Sequence, residues 1–175
     1  MRKIGIYVHI PFCERKCDYC NFVSFRCDDE TKERYVNSLI GEMELAKSRY
    51  LDCEVDTIFI GGGTPLCLRE KSIKNLLNYI ENNFNVNTDA EITVEANPNS
   101  LTLEKLREFK LAGVNRLSIG LQAYNDKLLK LIGRLHTKKQ FDNAIKNVTD
   151  GTYLSGQEIS KLIIKYPELS DKILQ

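Results

Sequence analysis

The chain has 175 residues, with 25 basic and 24 acidic side chains and a formal net charge of +1. A charge so close to zero argues against nucleic acid or an anionic membrane surface as a partner, and no apolar stretch reaches the roughly 20 residues that cross a bilayer. With no signal-peptide pattern at the N-terminus, we expect a cytoplasmic protein, whose six cysteines stay reduced and serve metal binding or catalysis rather than disulfides.

Strand-like and helix-like segments alternate along the chain. The predicted strands are residues 4–10, 55–60, 90–96 and 115–122. The predicted helices lie within residues 28–50, 69–84, 102–112 and 138–148. Because each strand is followed by a helix, this order favours an α/β fold with a parallel sheet and right-handed crossovers.

Most of the predicted strands carry aliphatic residues at one parity and polar or small residues at the other. In residues 4–10 the even positions are all aliphatic, while the odd positions are Gly, Tyr and His. Successive side chains point to opposite faces of a sheet, so each strand would present one face to helices and a more polar face to a cavity. A fully buried parallel sheet would be apolar on both faces, so the pattern favours a barrel or half-barrel with a polar inner wall, with a half-exposed edge arrangement as the alternative. Residues 55–60 are more uniformly apolar.

Three cysteines follow the first predicted strand in the spacing Cys-x3-Cys-x2-Cys, at Cys13, Cys17 and Cys20. Three thiolates on one short loop can hold three corners of a four-iron cluster and leave the fourth iron open to a ligand. The alternative is a zinc site completed by His9 or an outside ligand, although zinc sites prefer paired Cys-x2-Cys elements and only one such pair is present. The other cysteines show no ligand spacing and are expected to be inert: Cys27, Cys53 and Cys67.

The predicted strands end in residues that suit contact with a ligand. In strand–helix barrels the functional residues lie at the carboxyl ends of the strands. Residues 61–63 are all glycine, which allows close approach of the backbone to a ligand, although a tight turn before Pro65 explains them about as well. Glu95 and Gln122 suit hydrogen bonds to a ribose or an ammonium, and Arg134 suits a carboxylate. A solvated strand end for Glu95 and a surface ion pair for Arg134 remain open.

Together these motifs resemble one enzyme family in order and spacing, from about residue 3 to about residue 148. They are Tyr7-Val8-His9-Ile10-Pro11-Phe12-Cys13, Cys17-Asp18-Tyr19-Cys20-Asn21-Phe22, Gly61-Gly62-Gly63-Thr64-Pro65, Glu95-Ala96-Asn97-Pro98, Arg116-Leu117-Ser118-Ile119-Gly120-Leu121-Gln122 and Gly133-Arg134-Leu135-His136. The sequence is similar to the oxygen-independent coproporphyrinogen III oxidase-like branch of the radical S-adenosylmethionine (SAM) enzymes. Asn21-Phe22 follows the third cysteine where the oxidases carry a further cysteine, which resembles the haem chaperone-like members.

The resemblance implies a partial (β/α) barrel of the radical SAM type with about four βα units, and it implies a [4Fe-4S] cluster and S-adenosyl-L-methionine as cofactors. It assigns Cys13, Cys17 and Cys20 to the cluster. In such proteins one electron cleaves SAM to methionine and a 5′-deoxyadenosyl radical, and this radical abstracts hydrogen from a substrate. The residues that it assigns to SAM or its surroundings are Tyr7, Gly61, Gly62, Gly63, Thr64, Glu95, Gln122 and Arg134. The partners that it implies are a porphyrin or haem and an electron donor protein.

We expect a boundary near residue 148. Residues 1–148 would form the partial radical SAM core and residues 149–175 a divergent, short helical tail, in which a capping box from Ser155 to Glu158 precedes apolar residues at helical spacing. Because the chain has fewer strands than the complete barrel of the family, the strands would not fully enclose the cavity. We therefore expect cofactor binding to survive and turnover of a large substrate to be lost, with a catalytically inactive fragment as the alternative.

Overall fold

The computed structural model describes residues 1–149 and 162–165. Its strands are β1 Arg2–Ile10, β2 Cys53–Gly62, β3 Val86–Ala96, β4 Arg116–Gly120 and β5 Leu162–Lys165. Its α-helices are α1 Asp29–Ala46, α2 Glu70–Asn83, α3 Leu103–Leu111, α4 Asp126–Leu131 and α5 Lys138–Thr149. Within these residues, no helix combines the length and the hydropathy that crossing a bilayer requires.

The strands form one sheet in the order β1-β2-β3-β4-β5, and every neighbouring pair is parallel. The order in space is the order in sequence, with helices between consecutive strands. Parallel strands need such crossovers, because the chain must return to the same end of the sheet before the next strand begins. The predicted α/β fold with repeated strand–helix units is therefore confirmed.

The two faces of the sheet differ in polarity, as the alternating sequence pattern predicts. The apolar face shares one hydrophobic core with residues of α2, α3 and α5. Its fully buried strand residues include Val8, Ile10, Ile58, Ile60, Val94, Leu117 and Ile119. On the opposite face Tyr7 lies opposite Phe59, which lies opposite Thr93. The side chains of this face, here two polar ones on either side of the Phe59 ring, are thus held in register across neighbouring strands.

Strand β2 alternates like its neighbours, although its sequence suggests a more uniformly apolar strand. The register with β1 shifts between Val55 and Thr57, so that Asp56 is an extra residue in β2. Such a bulge changes which parity faces the core. Val55 is therefore buried before the bulge and Ile58 and Ile60 after it, while Thr57 is exposed on the other face.

The predicted helical tail is wrong at residues 162–165, which form β5. This strand pairs with β4 from Leu117 opposite Leu162 to Gly120 opposite Lys165. The edge of β4 offers unpaired backbone N–H and C=O groups, and pairing with a Leu-Ile-Ile segment satisfies them, so tertiary contact outweighs the helical spacing. The capping box from Ser155 to Glu158 lies outside the described residues.

Candidate functional site

A cavity of about 270 Å³ lies where β1 to β4 end and the cysteine loop begins. Because all these strands are parallel, their carboxyl ends meet at one edge of the sheet. The residues predicted from sequence that line this cavity are Cys13, Cys17, Cys20, Gly62, Gly63, Thr64, Glu95, Gln122 and Arg134. Tertiary folding thus brings together groups that are up to about 120 positions apart in the sequence, as between Cys13 and Arg134.

Backbone hydrogen bonds hold the cysteine loop in place. The Cys13 N–H donates to Phe25 O at 3.0 Å, and the Phe25 N–H donates to Pro11 O at 2.9 Å. Within the loop the Cys20 N–H donates to Cys17 O at 3.0 Å. The loop is therefore closed at its base and turned on itself between the second and third cysteines.

The three cysteine thiols of the loop line one wall of the cavity. All three are free and half-buried, and all face the same cavity. In the described part of the chain, no three His, Cys, Asp or Glu side chains converge closely enough to share one metal ion. A zinc site brings every sulfur within about 2.3 Å of one point, whereas a [4Fe-4S] cluster takes each thiolate at a different iron. Within the described residues, the three thiols surround a common space and do not meet at one point.

The glycine segment lies directly against the cysteine loop. The Gly63 N–H donates to Ile10 O and the Thr64 N–H donates to Phe12 O, both at 2.7 Å. A Cβ at Gly63 would lie 2.5 Å from Phe12 O, closer than real side chains approach. Gly62 has a φ of +110°, which favours glycine. The glycines are thus required both by the turn and by the close contact that forms the cavity wall.

A hydrogen-bonded network joins three of the cavity side chains. The Asn97 amide donates to Thr64 Oγ1 at 2.9 Å, and Arg134 Nη2 donates to Asn97 Oδ1 at 2.7 Å. The network ends on two of the thiols, with Thr64 Oγ1 at 3.6 Å from Cys13 Sγ and Arg134 Nη1 at 3.7 Å from Cys17 Sγ. A hydroxyl and a guanidinium are thus directed at two of the three loop sulfurs.

A buried histidine orients Arg134. His136 is 2% exposed, and its Nε2 lies 3.0 Å from Leu121 O, so Nε2 carries the proton and donates it to that carbonyl. Nδ1 is then unprotonated and accepts from Arg134 Nε at 3.4 Å. Burial, followed by the charge of Arg134, lowers the pKa of His136 to about 4. The imidazole is therefore neutral at physiological pH and holds the guanidinium by accepting a hydrogen bond.

Comparison with known proteins identifies this arrangement. The Radical SAM superfamily profile matches residues 7–166. The chain belongs to the radical SAM superfamily. The match includes the cysteine loop and all four strands that end at the cavity, and it continues past residue 148 through β5.

The relatives of this radical SAM chain include haem chaperones. It is 44% identical over 134 residues to the heme chaperone HemW of Bacillus subtilis, covering 76% of this chain and 35% of that protein. It is 40% identical over 155 residues to HemW of Buchnera aphidicola subsp. Acyrthosiphon pisum, covering 86% and 41%. The structure of coproporphyrinogen III oxidase (HemN) from Escherichia coli matches with a TM-score of 0.82 and 28% identity, over 94% of this chain and 37% of that one. The predicted branch is thus confirmed, and the chain spans less than half the length of these relatives.

Two of the residues predicted to surround SAM lie beside the cavity rather than in its wall. Tyr7 is 58% exposed on the polar face of β1, where its hydroxyl bonds to His9 Nδ1 at 2.9 Å. Partial burial, followed by the charge of the Glu95 carboxylate, raises the pKa of Tyr7. Gly61 lies against the Glu95 carboxylate: a Cβ at Gly61 would be only 2.8 Å from Glu95 Oε2.

The sequence did not single out two cavity residues that the structure makes prominent. Asn97 bridges Thr64 and Arg134, and its position in the Asn-Pro step directly after β3 was a usable signal. Ser24 is buried in the cavity wall, four residues after the third cysteine, and no pattern in the sequence points to it.

The remaining cysteines lie in surroundings typical of unreactive thiols. Burial raises the pKa of Cys67 to about 11, and burial is also the main reason that the pKa of Cys27 is raised. Cys53 is fully buried at the start of β2. Raised pKa values keep thiols protonated at physiological pH, and protonated thiols are poor nucleophiles and poor metal ligands.

Proposed function

We propose that this chain binds a [4Fe-4S] cluster through Cys13, Cys17 and Cys20, binds S-adenosyl-L-methionine at the adjoining strand ends, and cleaves it reductively. The observation that carries the proposal is the placement of three free thiols around one cavity whose other wall is a glycine turn with polar side chains. When bound, the cluster supplies the electron for cleavage and an open iron for the amino acid end of SAM.

The cavity side chains have distinct roles in this proposal. Thr64 and Arg134 direct donors at two ligand sulfurs and disperse the negative charge of the cluster. Glu95 accepts from the Gly62 N–H at 3.1 Å, which fixes its carboxylate at the glycine turn, where an ammonium group would bind.

Gln122 is the strongest candidate for contact with the nucleoside. It has a φ of +68°, in the left-handed region that is uncommon for a residue with a side chain. Such conformations cost energy and cluster at sites where a side chain must be placed precisely. We propose that the Gln122 amide binds the ribose hydroxyls of SAM, since an amide offers both a donor and an acceptor.

We propose a haem chaperone-like role for this protein, by its similarity to the HemW relatives. The support is the name of the HemW relatives and Asn21-Phe22 after the third cysteine, where the oxidases carry a cysteine. The chain spans 35% to 41% of those relatives, so a haem or porphyrin ligand and an electron donor protein are proposed partners. We also propose a cytoplasmic location, and a core of residues 1–148 followed by a divergent segment, 149–175.

The first test is anaerobic reconstitution of the chain with iron and sulfide. We expect a brown protein with charge-transfer absorption and about four irons and four sulfides per chain. A Cys17→Ala variant, which lacks one ligand, should hold far less iron. A colourless protein that holds stoichiometric zinc would overturn the cluster proposal.

The second test measures 5′-deoxyadenosine after addition of dithionite and SAM to the reconstituted protein. Product above the Cys17→Ala control supports reductive cleavage, whereas its absence in a protein with a full cluster would identify a catalytically inactive fragment. Titration with hemin, with absorbance as the readout, tests haem binding separately, and no saturable change would overturn haem as a ligand of this chain.

A further inference from the structure

One polar group in the cavity wall lacks a partner. Ser24 is 7% exposed, and its Oγ is the one fully buried side-chain nitrogen or oxygen without a hydrogen bond in the described residues. A hydroxyl offers one donor and two acceptor sites, and a buried hydroxyl in a native protein is nearly always hydrogen-bonded. Ser24 lines the same cavity as the three cysteines, so a group that binds there can supply this partner.

The chain holds Ser24 firmly in this place. The next residue, Phe25, forms a parallel bridge with Phe12, through hydrogen bonds of its backbone to Pro11 O and from the Cys13 N–H. The Phe25 ring contacts the buried Phe12 ring edge-on, with centroids 5.4 Å apart. The segment that follows the cysteines therefore returns to the base of the loop, which fixes Ser24 in the wall of the cavity that the three cysteines also line.

We infer that the Ser24 hydroxyl donates a hydrogen bond to a sulfur of the bound cluster and thereby raises the reduction potential of that cluster. This inference rests on the proposed cluster binding. Sulfide and thiolate sulfurs carry negative charge and accept hydrogen bonds, and hydrogen bonds to these sulfurs tune the potential of the cluster. The bond is stronger to the reduced cluster, which carries one more negative charge, so it favours reduction.

Ser24 differs in one respect from the other donors at the ligand sulfurs. Thr64 Oγ1 also accepts from Asn97, and Arg134 also donates to Asn97 and to Gly120 O, so both have partners within the protein. Those two groups are satisfied before the cluster binds. Removing the Ser24 hydroxyl should therefore alter the cluster-bound protein and leave the cluster-free protein undisturbed.

The test is a redox titration of the reconstituted cluster, followed by electron paramagnetic resonance. In Ser24→Ala, we expect the ratio of reduced to oxidised cluster at a fixed potential to fall about tenfold, equivalent to about 59 mV for a one-electron couple. Ser24→Thr, which keeps the hydroxyl, should stay near the wild type. The matched control is Ser38→Ala on the exposed side of α1, where the hydroxyl bonds to Arg34 O at 3.0 Å and which should leave the potential unchanged.

A second measurement compares the urea unfolding midpoints of the cluster-free proteins. Removal of an unpartnered buried hydroxyl should leave the midpoint unchanged or raise it. Ser100→Ala serves as the contrast, because Ser100 is buried and donates to Asn97 O at 2.8 Å, and this variant should lower the midpoint. A decrease in Ser24→Ala equal to that in Ser100→Ala would show that Ser24 has a partner without the cluster, and would overturn the inference.

The outcomes separate this inference from the function on which it rests. If the wild type takes up no cluster, the proposed function fails. If the wild type, Ser24→Ala and Ser24→Thr hold equal amounts of iron and sulfide and share one reduction potential, the role of Ser24 alone is refuted.

Discussion

The buried His136 should make the stability of this protein depend on pH just below neutrality. Its pKa is about 4 in the folded chain, against about 6.5 for an unperturbed histidine. The unfolded chain therefore binds the proton more tightly than the folded chain. The free energy of unfolding is highest above pH 6.5 and falls as the pH drops from 6.5 to 4. Below pH 4 the contribution of the neutral His136 is lost completely. The cause is the cost of a buried imidazolium beside the Arg134 guanidinium.

These pKa values correspond to a loss of about 1 kcal/mol in the free energy of unfolding between pH 7.5 and pH 5.5, which grows to about 3 kcal/mol below pH 4. The chain has only two histidines, and carboxylates titrate mostly below pH 5.5. Urea unfolding at pH 7.5 and at pH 5.5 therefore measures mainly the effect of histidine titration on stability. His136→Gln keeps a donor for Leu121 O and an acceptor for Arg134 but has no proton to gain, so its stability should be flat there. The same loss in His136→Gln, or its absence in the wild type, would refute the reasoning.

Three further substitutions test the construction of the site. Gly63→Ala should lower the free energy of unfolding by about 2–4 kcal/mol, because the added Cβ collides with Phe12 O and two backbone hydrogen bonds are strained. Gly41→Ala is the control: a Cβ there meets no atom within 4 Å, so this variant should be neutral or stabilising. Phe12→Ala should cost about 3–5 kcal/mol, because this ring is 1% exposed and packs edge-on against two other rings; an unchanged urea midpoint would contradict that packing. Asn97→Ala removes one hydrogen-bond partner from both Thr64 and Arg134 and should weaken SAM binding to the reconstituted protein about tenfold, about 1.4 kcal/mol by calorimetry. An unchanged affinity would show that Asn97 does not contribute to the site.

Much of the site was predictable because its signals are local. The spacing of Cys13, Cys17 and Cys20 already shows in the sequence that three thiols share one short loop. The period of two in the strands identified the polar face of the sheet, and the parallel order placed Glu95 and Gln122 at the same edge. Each of these conclusions uses only neighbouring residues and the geometry of a strand.

Other features needed the folded chain because they depend on contacts between distant residues. Residues 162–165 have helical spacing in the sequence, yet they pair with β4, whose edge supplies the hydrogen-bonding partners. The bulge at Asp56, after which the other parity of β2 faces the core, shows only in the register with the neighbouring strands. The role of Asn97 likewise depends on two partners, each more than 30 positions away.

By itself, the sequence determined the α/β class, the cysteine loop and the family, since each is encoded in the period, spacing and order of side chains. Only the tertiary structure decided that Ser24 is buried without a partner, that His136 is neutral and that Gly63 has no room for a side chain. The physical reason is that burial, hydrogen-bond satisfaction and pKa are set by the atoms that surround a group in space, and those atoms come from distant parts of the chain.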